Sequence, residues 1–299
     1  MLTVEQLEER MSGIGGSEAP AVAGIDTYRQ PLDVWMEKTK RQPPADLSDK
    51  EQVLWGNLLE DLVAREWARR GEHGIRRNNL TMRHPDFPQM LAHIDRKVVG
   101  ERAGLEVKTR GTFAASDYGP NGTDQVKETD IIQCQHYMGV TGYPVWHMAV
   151  LVGGQELRSY VIPRDQGLID SLIDVEYEFW RKVQADEQPD LIYAHQSTDE
   201  LLKRLYPGSN GQQVMLPPEA VLLHQRLDKL NKQKSAAEKE AKALRRQLQD
   251  MQGEAAIGLL PDGSGGFGRK QAERKGYTVE PTTYWVFRFS AKHKQEAAQ

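Results

Sequence analysis

The chain has 299 residues, a net charge of −4 and a hydrophobic fraction of 38%, values that suit a soluble globular protein with a sizeable core. Its single cysteine, Cys134, excludes an intramolecular disulfide and any four-cysteine metal cluster, and it favours a reducing compartment. No apolar run has the length of a membrane span, and the N-terminus lacks the basic and apolar regions of a secretory signal. We therefore expect a cytoplasmic protein with no membrane partner.

Helix and strand patterns alternate over residues 1–200, which predicts one α+β unit with a mixed central sheet flanked by helices. A capping-box pattern at 48–51 begins a long helix that ends at Gly71. Residues at helical spacing in two helices are predicted to face the core: Leu54, Leu58, Leu62 and Trp67 in the first, and Leu168, Leu172, Val175 and Trp180 in the second. Predicted helices cover 3–11, 19–24, 32–40, 48–71, 130–141 and 165–187, and predicted strands cover 75–83, 90–99, 104–109, 145–152 and 157–162.

The composition changes around residues 207–211, and the chain beyond has a different pattern. Apolar residues alternate at spacings of three and four from Leu223 to Met251, interrupted by Lys234, which predicts a short coiled coil or helical arm. Two strand-like runs, 267–270 and 283–289, follow a Gly-rich turn and are locally basic. We therefore assign one domain to 1–205 and a second, a helical arm with a small basic β appendage, to 212–299.

The most informative residues surround the segment 104–108, which predicts a short strand. Because strand side chains alternate, Glu106 and Lys108 share one face. A hairpin turning near 100–104 would bring Asp95 opposite Glu106. Two carboxylates beside a lysine suit Mg²⁺, which prefers oxygen ligands and activates water for phosphodiester hydrolysis. The alternative is a solvated strand face, which is the common environment of charged residues on strands.

Glu60 lies close to the apolar stripe of the long helix, where a carboxylate must be paired or metal-bound. Its alternative is a salt bridge to an arginine. A zinc site built from His93, Cys134 and His136 is discounted, because these residues lack the paired spacing of such sites.

Two further groups of polar residues suggest contacts with phosphate. Gln133 and Tyr137 are one turn apart on a predicted helix and could hold a water or a phosphate oxygen, although ordinary exposed polar residues would look the same. Arg10 and Ser17 flank a Gly-rich loop, which can bind an anion through its backbone N–H groups. The alternative for Ser17 is a plain helix cap.

Taken in chain order, these motifs resemble the YqaJ-type viral recombinases, the family of phage lambda exonuclease, over residues 8–190. The resemblance implies the restriction-endonuclease-like core written PD-(D/E)XK. Its motifs are Arg-Met-Ser-Gly-Ile-Gly-Gly-Ser at 10–17, Trp-Gly-Asn-Leu-Leu-Glu at 55–60, Asp95, Glu-Val-Lys at 106–108 and Gln-Cys-Gln-His-Tyr at 133–137. This chain departs from the family pattern at 93–96, where His93 replaces a frequent serine, Ile94 the usual proline and Arg96 a glycine.

The resemblance also implies residue roles. The implied metal ligands are Asp95, Glu106, Glu60 and the carbonyl of Val107. The implied catalytic residues are Lys108, Glu106, Asp95, Glu60 and an active-site glutamine, with Gln135 our first choice and Gln133 our second. The implied ligands of a terminal 5′-phosphate are Arg10 and Ser17, and further DNA contacts are Tyr137 and His93.

By resemblance we expect a Mg²⁺-dependent exonuclease, with Mn²⁺ as an alternative metal, that digests double-stranded DNA from 5′ to 3′. It would leave 3′ single strands for recombination by annealing. The resemblance further implies a homotrimeric ring, a phage single-strand annealing protein as partner, and a phage or prophage origin with activity in the bacterial host cytoplasm. Two alternatives stay open: a structure- or site-specific endonuclease, which has no need of Arg10 and Ser17, and a catalytically inactive DNA-binding assembly factor.

Overall fold

The computed structural model describes residues 4–44, 49–78 and 80–271 and the single positions 273, 287, 289 and 290. The chain divides into two compact units, Met1–Pro207 and Gly208–Gln299. Helices of the first unit are α1 (Val4–Met11), α2 (Ala19–Val22), α3 (Pro31–Lys38), α4 (Glu51–Gly71), α5 (Glu128–Thr141), α6 (Gln166–Gln184) and α7 (Thr198–Leu205). Its strands are β1 (Ile14–Gly15), β2 (Gly74–Arg77), β3 (Met82–Arg83), β4 (Met90–Ala92), β5 (Arg96–Val99), β6 (Ala103–Arg110), β7 (Val145–Val152) and β8 (Glu156–Pro163). A 3₁₀ helix, Thr112–Asp117, follows β6.

The central sheet of the first unit has five strands in the order β2-β5-β6-β7-β8. The β6–β7 pair is parallel and the other pairs are antiparallel. A smaller sheet, in the order β1-β4-β3, joins the glycine loop to the segment that precedes β5. The structure therefore confirms the predicted α+β class with a mixed central sheet.

Side-chain alternation on β7 divides the interior into two layers. Trp146 and Met148 pack in one cluster with Met138 of α5. Ala149, on the opposite face of β7, joins a second cluster with Trp67 of α4. Because successive strand residues point to opposite faces, one strand supports a helix on each side of the sheet.

The apolar face predicted for α4 is wrong in three of its four positions. Leu54, Leu58 and Leu62 are 47%, 56% and 62% exposed, whereas Trp67 is buried as expected. The buried face of α4 is instead Val63, Ala64, Trp67 and Ala68. The helix thus has two apolar stripes, and the sheet packs against the one whose alanines allow a close approach. Ser48 lies outside the described residues, and the Lys50 N-cap makes no side-chain cap bond.

The prediction for α6 is wrong only at Val175, which is exposed. Leu172 is buried as expected, and Leu168 and Trp180 are partly buried against the core clusters. Ile169, Glu176 and Phe179 complete the buried face. Glu176 can lie in the core because its carboxylate pairs with His136 of α5 at 2.8 Å, a partner that a hydrophobic pattern does not reveal.

The second unit contains α8 (Glu219–Gln252) and a hairpin of β9 (Ile257–Leu259) and β10 (Gly266–Gly268). The long helix agrees with the predicted arm, and no described residue of α8 is buried. Arg269 donates to the Gly253 carbonyl at 2.8 Å, which ties the hairpin to the end of α8. Most of the predicted strand 283–289 lies outside the described residues. Within the described ranges, no helix has the length and apolar character needed to cross a membrane.

Candidate active site

The antiparallel β5–β6 hairpin organises the site. Arg96 of β5 pairs with Leu105 of β6, so the next position in this register sets Asp95 opposite Glu106, as predicted. The predicted strand 90–99 is interrupted, because β4 ends at Ala92 and Asp95 lies in the gap before β5. In this gap Asp95 Oδ2 accepts a hydrogen bond from the Val107 backbone N–H at 2.9 Å. The break in the strand frees the Asp95 side chain to bind the edge of β6.

Glu106 is the centre of a buried polar network. It is 3% exposed, and its Oε1 accepts from Lys108 Nζ at 2.6 Å and from Gln133 Nε2 at 2.9 Å. Lys108 also donates to Gln133 Oε1 at 2.9 Å. The other oxygen, Glu106 Oε2, is buried and has no hydrogen-bond partner among the described residues. A buried carboxylate oxygen without a donor is costly, so this atom is open to a ligand that supplies positive charge or a donor.

Burial and neighbouring charges shift the pKa values of the ionisable groups at the site. Burial raises the pKa of Glu106, and the lysine beside it offsets only part of that effect. Burial, and then the charge of Glu106, raise the pKa of Asp95 well above its usual range. For Lys108, burial lowers the pKa, but Glu106 and Asp130 outweigh it and the net pKa is raised. The lysine is therefore a fixed positive charge at neutral pH, and the two carboxylates lack sufficient counter-charge.

This donor set fits a hard divalent cation. Asp95 and Glu106 offer carboxylate oxygens, the Glu106 Oε2 atom lacks a partner, and oxygen ligands are what Mg²⁺ and Mn²⁺ select. A preformed cluster of three or more His, Cys, Asp or Glu side chains is not found among the described residues. The Glu60 carboxylate is bound to Arg96.

Glu60 makes the salt bridge that sequence analysis left open as its alternative. Arg96 Nη1 donates to Glu60 Oε1 at 2.8 Å, and Arg96 Nη2 donates to Asp61 Oδ1 at 3.0 Å. Glu60 shares a helix face with the buried Val63 and Ala64, rather than with the exposed leucine stripe. The structure therefore brings Glu60 toward the sheet but gives it an arginine partner.

The structure reverses our order of preference between the two glutamines. Gln135 points away from Glu106, since its Nε2 donates to the Pro163 carbonyl at 2.8 Å and its Oε1 accepts from the Asp165 N–H at 3.0 Å. Gln133 instead contacts both Glu106 and Lys108. Positions 133 and 135 are two residues apart on α5, which places their side chains about 200° apart around the helix axis. Only one of the two glutamines can therefore face the sheet.

Tyr137 and His93 have different environments. Tyr137 is buried, and its hydroxyl accepts from Gln133 Nε2 at 3.0 Å, so it positions Gln133 and is not exposed for the predicted DNA contact. The Tyr137 ring also fills the space beside Gly16, where a Cβ atom would lie 2.3 Å from it. His93 is exposed and its Nε2 lies 2.7 Å from Thr81 Oγ1. The glycine loop and the carboxylate network are thus joined through Tyr137.

The predicted phosphate clamp has a buried support that sequence reasoning missed. Arg10 Nε donates to Glu18 Oε1 at 3.2 Å, and Lys38 Nζ donates to Glu18 Oε2 at 2.7 Å. The Gly15 N–H donates to the same Glu18 oxygen at 2.9 Å, and Ser17 is exposed next to it. Burial opposes ionisation of Glu18, but Lys38 and Arg10 lower its pKa below the usual value. Glu18 directly follows the glycine loop, so its position in the sequence could have indicated this role. Nothing in the sequence links Lys38, on α3, to the loop.

Comparison with known proteins places the chain in a family. It is 34% identical over 259 residues to the uncharacterized protein YqaJ of Bacillus subtilis strain 168, an alignment that covers 86% of this chain and 80% of that protein. Residues 5–144 match the YqaJ-like viral recombinase domain. This chain belongs to the YqaJ-like viral recombinases.

The fold of this YqaJ-like protein is similar to that of a solved enzyme. The alkaline exonuclease LHK-Exo from Laribacter hongkongensis aligns with a TM-score of 0.52 and 17% identity, covering 68% of this chain and 97% of the exonuclease. Among the YqaJ-type motifs, Asp95, Glu106, Lys108 and Gln133 are brought together, and Glu60 approaches them through Arg96. Gln135 is directed away from this group.

Proposed function

We propose that this protein is a divalent-metal-dependent deoxyribonuclease that digests double-stranded DNA from 5′ to 3′ and leaves 3′ single strands for recombination. The observation that carries the proposal is Glu106, a buried carboxylate with one oxygen held by Lys108 and Gln133 and the other without a partner. The family and the exonuclease fold of LHK-Exo support the same chemistry.

In this proposal Asp95, Glu106, the Val107 carbonyl and Glu60 would hold Mg²⁺ or Mn²⁺, which would supply an activated water and neutralise phosphate charge. Lys108, kept protonated by the carboxylates beside it, stabilises the charge that develops on the phosphate oxygens. Gln133 holds Lys108 and Glu106 in a fixed relative position through one hydrogen bond to each.

Selection of a 5′ end is assigned to the loop at 13–17. Arg10 is partly exposed and its side chain pairs with Glu18. Lys38 pairs with the same Glu18 and donates to the Arg10 carbonyl. An arginine and a serine beside a glycine loop can bind a terminal phosphate through charge-assisted hydrogen bonds. A homotrimer, a phage annealing protein as partner and a cytoplasmic site of action complete the proposal as expectations from the family.

The test uses linear duplex DNA labelled at either the 5′ or the 3′ end, and a nicked circle, each incubated with Mg²⁺ or with EDTA. We expect Mg²⁺-dependent release of the 5′ label first, and loss of activity in Asp95→Ala and Glu106→Ala proteins that bind duplex normally. Cleavage of the intact circular strand at internal positions would instead identify the endonuclease alternative. Duplex binding without hydrolysis by the wild-type protein, in Mg²⁺ and in Mn²⁺, would identify the assembly factor.

A further inference from the structure

Arg96 is a buried arginine at the break between β4 and β5, and its side chain is 4% exposed. Its Nη1 donates to Glu60 Oε1 at 2.8 Å and to the Asp95 carbonyl at 2.7 Å. Its Nη2 donates to Asp61 Oδ1 at 3.0 Å. One guanidinium therefore binds α4 and the backbone of the Asp95 gap together.

Arg96 carries a positive charge among carboxylates. Burial is the main cause of the raised pKa of Asp95 and of Glu106, and the negative charge of Glu60 adds a smaller rise to each, so the acidic groups of α4 and of the hairpin repel one another. A buried arginine between them offsets that repulsion and lets the carboxylates stay close.

The geometry of Arg96 is also specific. A guanidinium has two terminal nitrogens in a planar fork, and here they reach two different carboxylates of α4 while one of them also binds the Asp95 carbonyl. A lysine has a single ammonium nitrogen, so it cannot bind Glu60, Asp61 and the Asp95 carbonyl in the same arrangement.

We propose that Arg96 is a positioning residue that sets the affinity of the site for divalent cations by tying the Glu60 carboxylate to the backbone of Asp95. This inference rests on the proposed metal site and deepens it. Neither the family match nor the similar proteins assign a role to Arg96. Groups that orient metal ligands typically change metal affinity by about 10- to 100-fold when they are altered.

The test measures Ca²⁺ binding to the full chain by calorimetry without DNA, so its readout does not depend on hydrolysis. Arg96→Lys keeps the charge and removes the fork, and we expect its Ca²⁺ affinity to fall about tenfold. The matched control is Arg77→Lys, because Arg77 donates to the same Asp61 Oδ1 at 3.2 Å from an exposed position and does not contact Glu60. The control is expected to bind Ca²⁺ like the wild type.

A double-mutant cycle separates positioning from general loss of structure. If Arg96 acts through Glu60, then Arg96→Lys causes no further loss of Ca²⁺ affinity in a Glu60→Gln background. An equal loss in both backgrounds, or unchanged affinity in Arg96→Lys alone, overturns the inference. Melting temperatures of all four proteins identify a variant that fails to fold, in which case Arg96→Gln with the same cycle replaces it.

Failure of the proposed nuclease function can be distinguished from failure of the Arg96 inference. A wild-type protein that binds Ca²⁺ but never cuts DNA contradicts the function, while the cycle still decides the role of Arg96. A wild-type protein that digests DNA, together with Arg96→Lys that binds Ca²⁺ normally, contradicts the Arg96 inference alone.

Discussion

Gln133 on α5 and Glu106 on β6 meet through a 2.9 Å hydrogen bond to Glu106 Oε1, the same oxygen that binds Lys108. Both donors are thus concentrated on one carboxylate oxygen. The second oxygen, Oε2, accepts no hydrogen bond from the described residues.

The two glutamines of α5 give a matched pair of variants. Gln133→Ala removes one contact to Glu106 and one to Lys108, and we expect kcat for DNA hydrolysis to fall by about 10- to 100-fold. Gln135→Ala removes bonds to two backbone groups, those of Pro163 and Asp165, and none to Glu106 or Lys108. We expect it to keep the wild-type kcat and to lose about 1–3 kcal/mol of unfolding free energy. Steady-state kinetics and urea unfolding check both, and equal kcat losses in the two variants would contradict the assignment of Gln133.

The stability of the metal-free protein should depend on pH through Asp95. Its folded-state pKa is raised by burial and by Glu106, so its favourable contribution exists below the unfolded pKa and is lost as pH rises through the folded pKa. Asp95→Asn keeps an oxygen for the Val107 N–H but cannot ionise. In EDTA we expect this variant to be more stable than the wild type at pH 8, with the difference disappearing toward pH 4, measured by urea unfolding.

The opposite sign is expected for a control at the surface. Hydrogen bonding to Arg41 lowers the pKa of exposed Asp186, so its contribution exists at neutral pH and is lost as pH falls through the folded pKa. Asp186→Asn should therefore be the less stable protein at pH 8. If Asp95→Asn is also less stable than the wild type at pH 8, the surrounding protein stabilises the ionised Asp95 carboxylate without a metal.

The 5′-phosphate clamp predicts a preference between two DNA ends. Duplex with a 5′-phosphate should be digested faster than duplex with a 5′-hydroxyl, and Arg10→Ala should abolish the difference. Loss of one charge-assisted hydrogen bond is worth about 1.5–3 kcal/mol, or roughly ten- to hundredfold in kcat/KM. Arg41→Ala, which removes an exposed arginine paired with Asp186, should keep the preference. Equal rates on both ends in the wild type would favour the endonuclease alternative.

Removal of the second unit tests its contribution to DNA binding. Truncation after residue 211 deletes α8 and the β9–β10 hairpin. We expect digestion of short duplexes to be nearly unchanged, because the carboxylate network lies within the first unit. Binding of long duplex should weaken, with a smaller dependence on salt, since fewer basic residues would displace counterions. Equal duplex affinity and salt dependence in both proteins would assign the second unit to contacts with protein.

The sequence was sufficient where the interacting residues are close along the chain. Alternation along β6 puts Glu106 and Lys108 on one face, and a short turn after β5 sets Asp95 opposite Glu106, because both depend only on local backbone geometry. The α+β class followed from the same local patterns.

Tertiary packing decided the rest. Which apolar stripe of α4 is buried depends on the sheet that covers it, and both stripes satisfy the helical period equally well. The choice of Gln133 over Gln135 depends on how α5 is rotated against β6. The partner of Glu60 is an arginine 36 positions away, and the support of Arg10 includes Lys38, 20 positions beyond Glu18. Burial makes such ion pairs necessary, and only the folded chain determines which charges are buried together.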